Sequence, residues 1–425
     1  MNDLTKKIFG DCFDENQKLA DGIFTNGFLI ESLRTNDSDF IQIHGKRPVK
    51  NITSFDVSKG KGFISVVLKC TIEFVDSSSS SDVYTTILKV PGMESFTETL
   101  SDQIDSKIDF STSFMDAHNI ECDFYNIMAS KLTRISLPKV YKTLPWIPGD
   151  DKKVIHMQDL SKCGKTIGVL DSLTIPQVRT LIRIIVEMQT DFFALPNDVR
   201  MKHYINISEI NACLYGMVDK ACDKLVELSN QDSFIKKAVS KYKKISINPD
   251  FYEYCINQCW KDMDMIPVLV HGDFWNGNIL WKIDKNGDPT NEIAAIVDWQ
   301  LTHENSPMED LVRVVTLCTD GYTRRKVESF IFDEYLELLI KEMKSINREC
   351  PYTLEQIKST YNHMFICQGF LGIMSIIWLV TMKMTEGKIE KAISDQALLQ
   401  CKHILEDIDE FLTDKMKHLF EKYGK

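Results

Sequence analysis

The 425-residue sequence predicts an α+β chain with a small, strand-rich N-terminal part and a large, mostly helical C-terminal part. Two observations predict this division. Runs of β-branched and aromatic residues are concentrated before residue 158, and amphipathic helical periodicity dominates after it. We therefore expect two domains, residues 1–157 and residues 158–425, which agrees with the chain length.

The strands predicted in the N-terminal part form two pairs. Residues 63–74 and 83–90 are rich in β-branched residues, and the polar stretch 77–81 between them predicts a loop joining two strands. Residues 138–141 and 154–157 have the same strand-like character, with proline and glycine marking the turn between them.

Helices are predicted from apolar periodicity. In the N-terminal part, residues that recur near one helical face are Phe114, Ala117, Glu121, Phe124 and Met128. In the C-terminal part, helices are expected over residues 176–193, most of 210–229, 232–243 and the chain after Pro307. Strands are expected there only at residues 268–270, 279–283 and 293–297.

Composition and charge restrict the class of function. The net charge of −11 is a poor match for nucleic acid or an anionic membrane. Cys255 and Cys259 have helical spacing without a histidine partner for zinc, so we expect core thiols. The chain starts without an apolar signal-peptide core, and a cytoplasmic protein with reduced thiols is expected.

The most apolar segment, residues 365–382, tests whether the chain spans a membrane. Its most apolar part is about 13 residues long, which is short for a membrane span. Gln368, Gly369 and Gly372 interrupt the segment. We therefore expect a buried core helix and no membrane span.

The segment VHGDFWNGNIL at residues 270–280 carries the strongest chemical signal. Asp273 and Asn278 lie in a polar loop between two predicted strands, and a further strand leads to Asp298. Phosphoryl transfer uses one carboxylate to orient the attacking hydroxyl and accept its proton. An amide and a second carboxylate hold Mg²⁺ against the ATP phosphates. The spacing D-x-x-x-x-N is that of a kinase catalytic loop.

The pattern H-G-D-x-x-x-x-N followed by I-x-D-W resembles the aminoglycoside phosphotransferase and choline kinase superfamily. The fuller pattern of HGDFWNGNILWK, IVDWQ and SPMEDL resembles its ecdysteroid-kinase-like branch, also called CHK kinase-like, in a nematode form. The resemblance extends over most of the chain. It implies a bilobal protein-kinase-like fold, with a β-rich N-lobe and a helical C-lobe, and ATP and Mg²⁺ as cofactors.

The resemblance assigns roles to residues of the C-terminal part. Asp273 matches the catalytic base, and His271 matches the residue that supports the catalytic loop. Asn278 and Asp298 match the Mg²⁺ ligands. Asp310 matches an acidic residue that buttresses the loop and would also favour the first turn of a helix.

In the N-terminal part, Lys89 matches the strand lysine that contacts the α- and β-phosphates, and Glu121 matches its ion-pair partner on a helix. For each of these two roles the sequence offers a second candidate. Lys69 also ends an apolar run, and Glu98 is a second candidate for the acidic partner.

The remaining nucleotide contacts are predicted at a glycine turn and a hinge. Gly60 and Gly62 match the loop over the phosphates, where glycines let backbone amides approach an anion. Met157 and Asp159 lie where the hinge between the lobes would offer backbone groups to adenine. The motif does not distinguish ATP from GTP.

The sequence therefore predicts a kinase of a small-molecule alcohol. A protein kinase is disfavoured, because no A-P-E motif follows Asp298 and the distance to Pro307 leaves no room for an activation loop. The family resemblance favours an ecdysteroid-like sterol or a xenobiotic conjugate as the acceptor. Apolar residues of the C-terminal helices agree with a lipophilic acceptor, namely Phe370, Met374, Trp378 and Met382. A choline- or ethanolamine-type kinase and a nucleotide-binding pseudokinase are the alternatives.

Overall fold

The computed structural model describes residues 10–58, 65–92, 111–168, 170–196, 199, 208–385, 387 and 391–425. Internal contacts divide the chain into two units. The N-terminal unit comprises Met1–Ala129 and Leu137–Lys162, and the C-terminal unit comprises Ser130–Ser136 and Cys163–Lys425. The domain boundary expected after residue 157 stays a prediction.

The N-terminal unit contains a five-stranded antiparallel sheet. Its strands are β1 (Val49–Asp56), β2 (Ser65–Phe74), β3 (Val83–Pro91), β4 (Val140–Leu144) and β5 (Val154–Gln158). Their order in the sheet is β1-β2-β3-β5-β4. The loop predicted at residues 77–81 joins β2 to β3, which pair with Leu68 opposite Leu88. The four strands predicted in this part are present.

Three helices within the described residues accompany this sheet: α1 (Asn26–Asn36), α2 (Ser38–Ile43) and α3 (Ser111–Asp123), which continues as a π-helical turn over Phe124–Met128. The side chain of Thr25 caps α1, and that of Asp37 caps α2. The sequence did not predict α1, because the polar residues Asn26 and Ser32 are buried on it and interrupt the apolar pattern. The predicted face of α3 is buried, including the carboxylate of Glu121.

The C-terminal unit is mostly helical. Its helices are α4 (Ile175–Ala194), α5 (Ser208–Leu228), α6 (Ser233–Ser246), α7 (Pro249–Glu253), α8 (Glu309–Leu317), α9 (Gly321–Glu328), α10 (Ile331–Ser345), α11 (Leu354–Thr385), α12 (Lys391–Thr413) and α13 (Lys417–Tyr423). A capping box of Thr174 and Gln177 starts α4. Cys255 and Cys259 are buried, as predicted for core thiols.

In the part of this unit that the structure describes, five strands complete the fold: β6 (Gly164–Lys165), β7 (Val268–Val270), β8 (Ile279–Ile283), β9 (Pro289–Ile296) and β10 (His303–Asn305). β7 pairs with β10, and β6, β8 and β9 form a three-stranded sheet. The turn between β8 and β9 is held by Asp284, whose Oδ1 accepts the N–H groups of Asn286 and Asp288. These two small sheets flank the loop with the predicted catalytic residues.

The long helix α11 includes the most apolar segment of the chain. Within the described part of the chain, it is the one helix long and apolar enough to cross a membrane, with a hydropathy of 1.9 in its most apolar window. That window is 78% buried, and α11 packs against α5, α8 and α12. These contacts agree with the predicted core helix.

The predicted fold class is confirmed. The N-terminal unit has an antiparallel sheet with α3 packed against β3, and the C-terminal unit consists mainly of helices with short strands around one loop. This order of elements is that of a protein-kinase-like α+β fold.

Candidate active site

The loop between β7 and β8 carries the predicted catalytic residues. It begins at His271 after three fully buried strand residues and ends in a 3₁₀ turn at Asn276–Asn278. Asp310, in the first turn of α8, accepts the backbone N–H groups of His271 at 2.8 Å and Gly272 at 3.0 Å, one on each carboxylate oxygen. A carboxylate is favourable at this end of a helix. The same carboxylate therefore stabilises α8 and fixes the start of the loop.

Gly272 allows the chain to turn sharply within this loop. Its φ is +81°, and a Cβ at this position would overlap the carbonyl oxygen of Leu301. Both the dihedral angle and the overlap disfavour any residue with a side chain. The glycine of the H-G-D motif is therefore required by the backbone.

His271 connects the loop to the segment that carries Asp298. The imidazole is fully buried, and its Nδ1 accepts the backbone N–H of Asp273 at 3.3 Å. This leaves Nε2 to donate to the carbonyl oxygen of Val297 at 3.0 Å. The ring also packs against Trp299, with 4.6 Å between the ring centroids. These contacts fix the imidazole in one orientation.

Asp273 is held by donors on both carboxylate oxygens. Its Oδ1 accepts Nη2 of Arg313 at 2.7 Å and Nε at 3.1 Å. Its Oδ2 accepts Nε1 of Trp275 at 3.2 Å and Nδ2 of Asn278 at 3.3 Å. The side chain is nevertheless 19% exposed. It is thus an oriented carboxylate that a reactant could reach.

The ladder between β8 and β9 places Asn278 beside the turn that contains Asp298. Ile279 pairs with Ile296, and the N–H of Val297 donates to the carbonyl oxygen of Asn278 at 3.0 Å. Asp298 follows immediately with φ of +68°, an uncommon conformation for a residue with a side chain. Backbone strain of this kind is concentrated at functional sites.

Asn278 and Asp298 offer oxygen ligands that suit Mg²⁺. Nδ2 of Asn278 donates to the backbone carbonyl of Asp273 at 2.9 Å, which leaves Oδ1 as the ligand atom. Mg²⁺ commonly binds one or two protein oxygens together with water and substrate phosphates. Among the described residues, no group of three or more His, Cys, Asp or Glu could hold a metal ion. The two residues fit a cation that is shared with phosphate oxygens.

A buried polar network lies beside Asp310. Oε2 of Glu309 accepts Nδ2 of Asn305 at 2.6 Å and lies 3.4 Å from Nε2 of His303. Burial lowers the pKa of His303, but the Glu309 carboxylate, the Leu301 carbonyl and Asp310 together raise it to about 9. Burial and the charge of Glu309 raise the pKa of Asp310 to about 7, against the effect of the two backbone N–H groups.

In the N-terminal unit, the predicted lysine and glutamate are in contact. Nζ of Lys89 on β3 donates to Oε2 of Glu121 on α3 at 2.5 Å, and their side chains are 11% and 1% exposed. The competing Lys69 lies 2.9 Å from Asp159 and donates to Ser161 at 2.6 Å. The two lysines thus have different acidic partners. Contact with a nucleotide stays a prediction for Lys89 and Glu121.

The two residues predicted for a hinge, Met157 and Asp159, lie at the end of β5 and directly after it. Met157 is buried opposite Ile87, and its carbonyl oxygen accepts Oγ1 of Thr86 at 2.9 Å. Burial opposes ionisation of Asp159, but the N–H of Ser161 and the Lys69 ammonium lower its pKa overall. The glycine turn and the second acidic candidate lie outside the described residues, namely Gly60, Gly62 and Glu98.

Arg313 is the main residue of this site that the sequence analysis did not identify. It follows Asp310 by three residues on α8, so both side chains lie on the same helical face. This spacing is the signal that could have identified it, because Asp310 binds the start of the loop and Arg313 binds Asp273. Nη1 of Arg313 also donates to Oε1 of Gln368 on α11 at 3.3 Å.

Comparison with known proteins identifies one matching family. The model of the family DUF1679, described as "Uncharacterized oxidoreductase dhs-27", matches residues 44–416. The uncharacterized oxidoreductase dhs-27 of Caenorhabditis elegans is 22% identical over 380 residues, which are 88% of this chain. This chain spans 44% of the length of that relative.

Several solved structures are distantly similar. The ethanolamine kinase of Plasmodium vivax is 10% identical with a TM-score of 0.38, covering 89% of this chain and 87% of that one. A macrolide 2'-phosphotransferase from Brachybacterium faecium is 13% identical with a TM-score of 0.37, covering 85% and 95%. The GDP complex of an aminoglycoside 2'-phosphotransferase is 10% identical with a TM-score of 0.38, covering 87% and 96%. Similarity at this level indicates neither substrate nor mechanism.

Proposed function

The chain belongs to the DUF1679 family, and we propose that it transfers a phosphoryl group from ATP to a hydroxyl of a small molecule. One observation carries this proposal. The partly exposed carboxylate of Asp273 is hydrogen bonded to the amide of Asn278, which the β8–β9 ladder places beside the turn of Asp298. A proton acceptor next to two oxygen ligands for Mg²⁺ is the arrangement that phosphoryl transfer needs.

In this reaction Asp273 orients the acceptor hydroxyl and accepts its proton. The hydroxyl oxygen forms a bond to the γ-phosphorus while the bond from that phosphorus to the oxygen of ADP breaks. Donors from Arg313 on Oδ1 and from Trp275 on Oδ2 keep the carboxylate from rotating. A base fixed before the reaction removes part of the cost of orienting the reactants.

Oδ1 of Asn278 and the carboxylate of Asp298 would hold Mg²⁺. The bound ion neutralises charge on the β- and γ-phosphates. The protein orients both ligands: Asn278 donates its amide N–H to Asp273, and Gln300 donates to Oδ2 of Asp298 at 3.4 Å. Neighbours that orient metal ligands in this way contribute to metal affinity.

Lys89 would bind the α- and β-phosphates while Glu121 holds its ammonium group. The short distance and low exposure of the pair support this role, because a buried lysine keeps its charge when a carboxylate is adjacent. The pair is one of the recurring parts of kinases that position ATP.

The acceptor that we propose is an ecdysteroid-like sterol or a xenobiotic conjugate, from the family resemblance. Of the four apolar residues that suggested a lipophilic pocket, Phe370 and Met374 are buried in the core. Trp378 and Met382 on α11 are partly exposed and support contact with an apolar ligand. A choline- or ethanolamine-type kinase and a pseudokinase are the alternatives.

This chain spans 44% of the length of the relative whose name includes oxidoreductase, and its described strands do not have the arrangement of a dinucleotide-binding fold. Dinucleotide-binding folds are built on parallel strands. Every strand pair among the described residues is antiparallel. The single G-x-G of the sequence, at Gly60 and Gly62, is followed by Ser65 where the fingerprint has a third glycine.

The test is mass-spectrometric. The full chain is incubated with MgATP and a total lipid and polar metabolite extract, beside Asp273→Ala and Asp288→Ala, the second of which changes an exposed turn residue. We expect metabolites that gain the mass of one phosphoryl group with the wild type and with Asp288→Ala.

Asp273→Ala should be slower by about 10²- to 10⁴-fold. Equal turnover in Asp273→Ala would contradict the proposal. Thermal stabilisation by MgATP without ADP release would indicate a pseudokinase.

A further inference from the structure

We propose that Arg313 restricts the acceptor to uncharged alcohols with an apolar body and excludes cationic alcohols. The inference rests on the proposed function, since it requires that the acceptor hydroxyl is bound at Asp273. Arg313 then determines specificity through its charge, and also positions the carboxylate.

Three hydrogen bonds fix the guanidinium of Arg313. Nη2 and Nε donate to Oδ1 of Asp273 at 2.7 and 3.1 Å, and Nη1 donates to Oε1 of Gln368 at 3.3 Å. The side chains of Arg313 and Asp273 are 18% and 19% exposed. The positive charge therefore has one position, at the accessible edge of the predicted catalytic carboxylate.

This arrangement removes the attraction that Asp273 would offer to a cation. Arginine remains protonated under all ordinary conditions, so the Asp273–Arg313 pair has no net charge. The other carboxylate oxygen already accepts N–H groups from Trp275 and Asn278. Near a protein surface, the interaction of two unit charges about 7 Å apart changes an equilibrium constant about 50-fold. The charge of Arg313 therefore offsets an attraction of this order that Asp273 alone would offer to an ammonium group. An ammonium group close to the reacting hydroxyl would lose part of its hydration without a compensating attraction, and it is disfavoured for that reason.

The face of α11 that continues from Gln368 is uncharged. Between residues 364 and 380, the partly exposed side chains are Leu371, Ser375 and Trp378. Their spacing of four and three residues places them in one stripe that starts one turn after Gln368. Oγ of Ser375 donates to the carbonyl oxygen of Leu371 at 2.9 Å, so this hydroxyl is satisfied within the helix. The stripe suits the apolar body of an acceptor whose hydroxyl reaches Asp273.

The experiment compares kcat/KM for uncharged and cationic alcohols. The uncharged probes are ecdysone and octyl glucoside, and the cationic probes are choline, ethanolamine and kanamycin. The variants are Arg313→Gln, Arg313→Lys and the control Arg183→Gln, which changes an exposed arginine of α4. Melting temperatures identify any variant that fails to fold.

We expect the wild type and Arg183→Gln to prefer the uncharged probes, because the neutral pair offers a cation no attraction that compensates for its lost hydration. Arg313→Gln should reduce this ratio at least about tenfold, mainly through a lower KM for the cationic probes. Arg313→Lys keeps the charge and should keep the ratio even where kcat falls. A merely structural role for Arg313 would lower kcat for all probes equally and leave the ratio unchanged.

Two outcomes overturn the inference and leave the kinase proposal intact: a wild-type preference for a cationic probe, or an unchanged ratio in Arg313→Gln. If none of the probes is phosphorylated and the enzyme only hydrolyses ATP, the probes are tested as inhibitors of ADP release. Inhibition by ecdysone or octyl glucoside, without inhibition by choline, supports the inference. Inhibition by choline, or by neither uncharged probe, overturns it. Absence of ADP release with every probe and with water overturns the proposed function itself.

Discussion

Lys89 and Glu121 lie 32 residues apart and form a buried ion pair in the N-terminal unit, with 2.5 Å between Nζ and Oε2. Removing one member of a buried pair leaves the other charge without its partner, which typically destabilises a protein by about 3–5 kcal/mol. We expect Glu121→Gln to lower the free energy of unfolding by this amount. The double variant Lys89→Met/Glu121→Leu should lower it less, because no buried charge remains.

Urea unfolding of Lys89→Met, Glu121→Leu and the double variant measures this coupling. The exposed pair of Lys391 and Asp395 supplies the control, since these side chains are 86% and 59% exposed. Lys391→Met should change the free energy of unfolding by less than about 1 kcal/mol. A double variant that is destabilised by the sum of the single changes would show that the two residues do not stabilise each other.

Gly272 should tolerate no side chain. Gly272→Ala combines a φ of +81° with an overlap between Cβ and the carbonyl oxygen of Leu301. Gly287 is the matched control, because its φ is +83° and a Cβ there has no neighbour within 4 Å. Gly287→Ala should destabilise by about 1–2 kcal/mol from the dihedral angle alone.

Thermal unfolding and ADP release of the two glycine variants give the comparison. We expect Gly272→Ala to lose more stability than Gly287→Ala and to lose turnover, because the loop with Asp273 must move away from Leu301. Equal stability and equal turnover in the two variants would mean that the loop accommodates a Cβ, against the geometry described.

The stability of the protein should fall as the pH rises towards 9. Burial lowers the pKa of His303, but the Glu309 carboxylate, with smaller contributions from the Leu301 carbonyl and Asp310, raises it overall from 6.5 to about 9. A raised pKa means that the charged pair stabilises the fold fully below pH 6.5, and that this contribution is lost as the pH rises through 9. The loss amounts to about 3 kcal/mol for a difference of this size.

His303→Gln provides the control for this pH dependence. It should reduce the decline between pH 7 and 9, which urea unfolding at each pH would show. Part of the decline should remain there, because the His303 charge lowers the pKa of Asp310 and its loss moves that pKa above 7. The decline between pH 4 and 7 should remain, because the pKa of Asp310 is raised to about 7 and its proton favours the folded state in that window. An equally large decline between pH 7 and 9 in His303→Gln and the wild type would assign it to other groups.

The catalytic loop was predictable because its signal is local in the sequence. Asp273 and Asn278 are five residues apart, and the strands on both sides have clear apolar patterns. The contact between Asp273 and Arg313 was not predictable in the same way, since it joins positions 40 residues apart and depends on how α8 faces the loop. Helix α1 was missed because its buried Ser32 binds His156 at 2.7 Å, so a polar residue occupies a core position.

Asn276 and Asn278 are two buried asparagines of the same loop, and we expect different roles for them. Asn276 donates to the carbonyl oxygens of Gly168 and Asp171 at 3.3 and 3.0 Å, so it anchors the loop to the preceding segment. Asn278 is the proposed Mg²⁺ ligand. Asn276→Ala should destabilise by about 1–3 kcal/mol and leave the Mg²⁺ requirement unchanged.

Asn278→Ala should instead raise the Mg²⁺ concentration for half-maximal ADP release by at least about tenfold, as loss of a group that supports a metal site does. Titrations with MgCl₂ at fixed ATP distinguish the two variants, and urea unfolding reports their stabilities. The same Mg²⁺ dependence in Asn276→Ala and Asn278→Ala would remove Asn278 from the proposed metal site. A higher Mg²⁺ requirement in Asn278→Ala alone would support an ion bound between this amide and Asp298. The comparison is fair because both asparagines are buried in the same loop and differ mainly in what their amides contact.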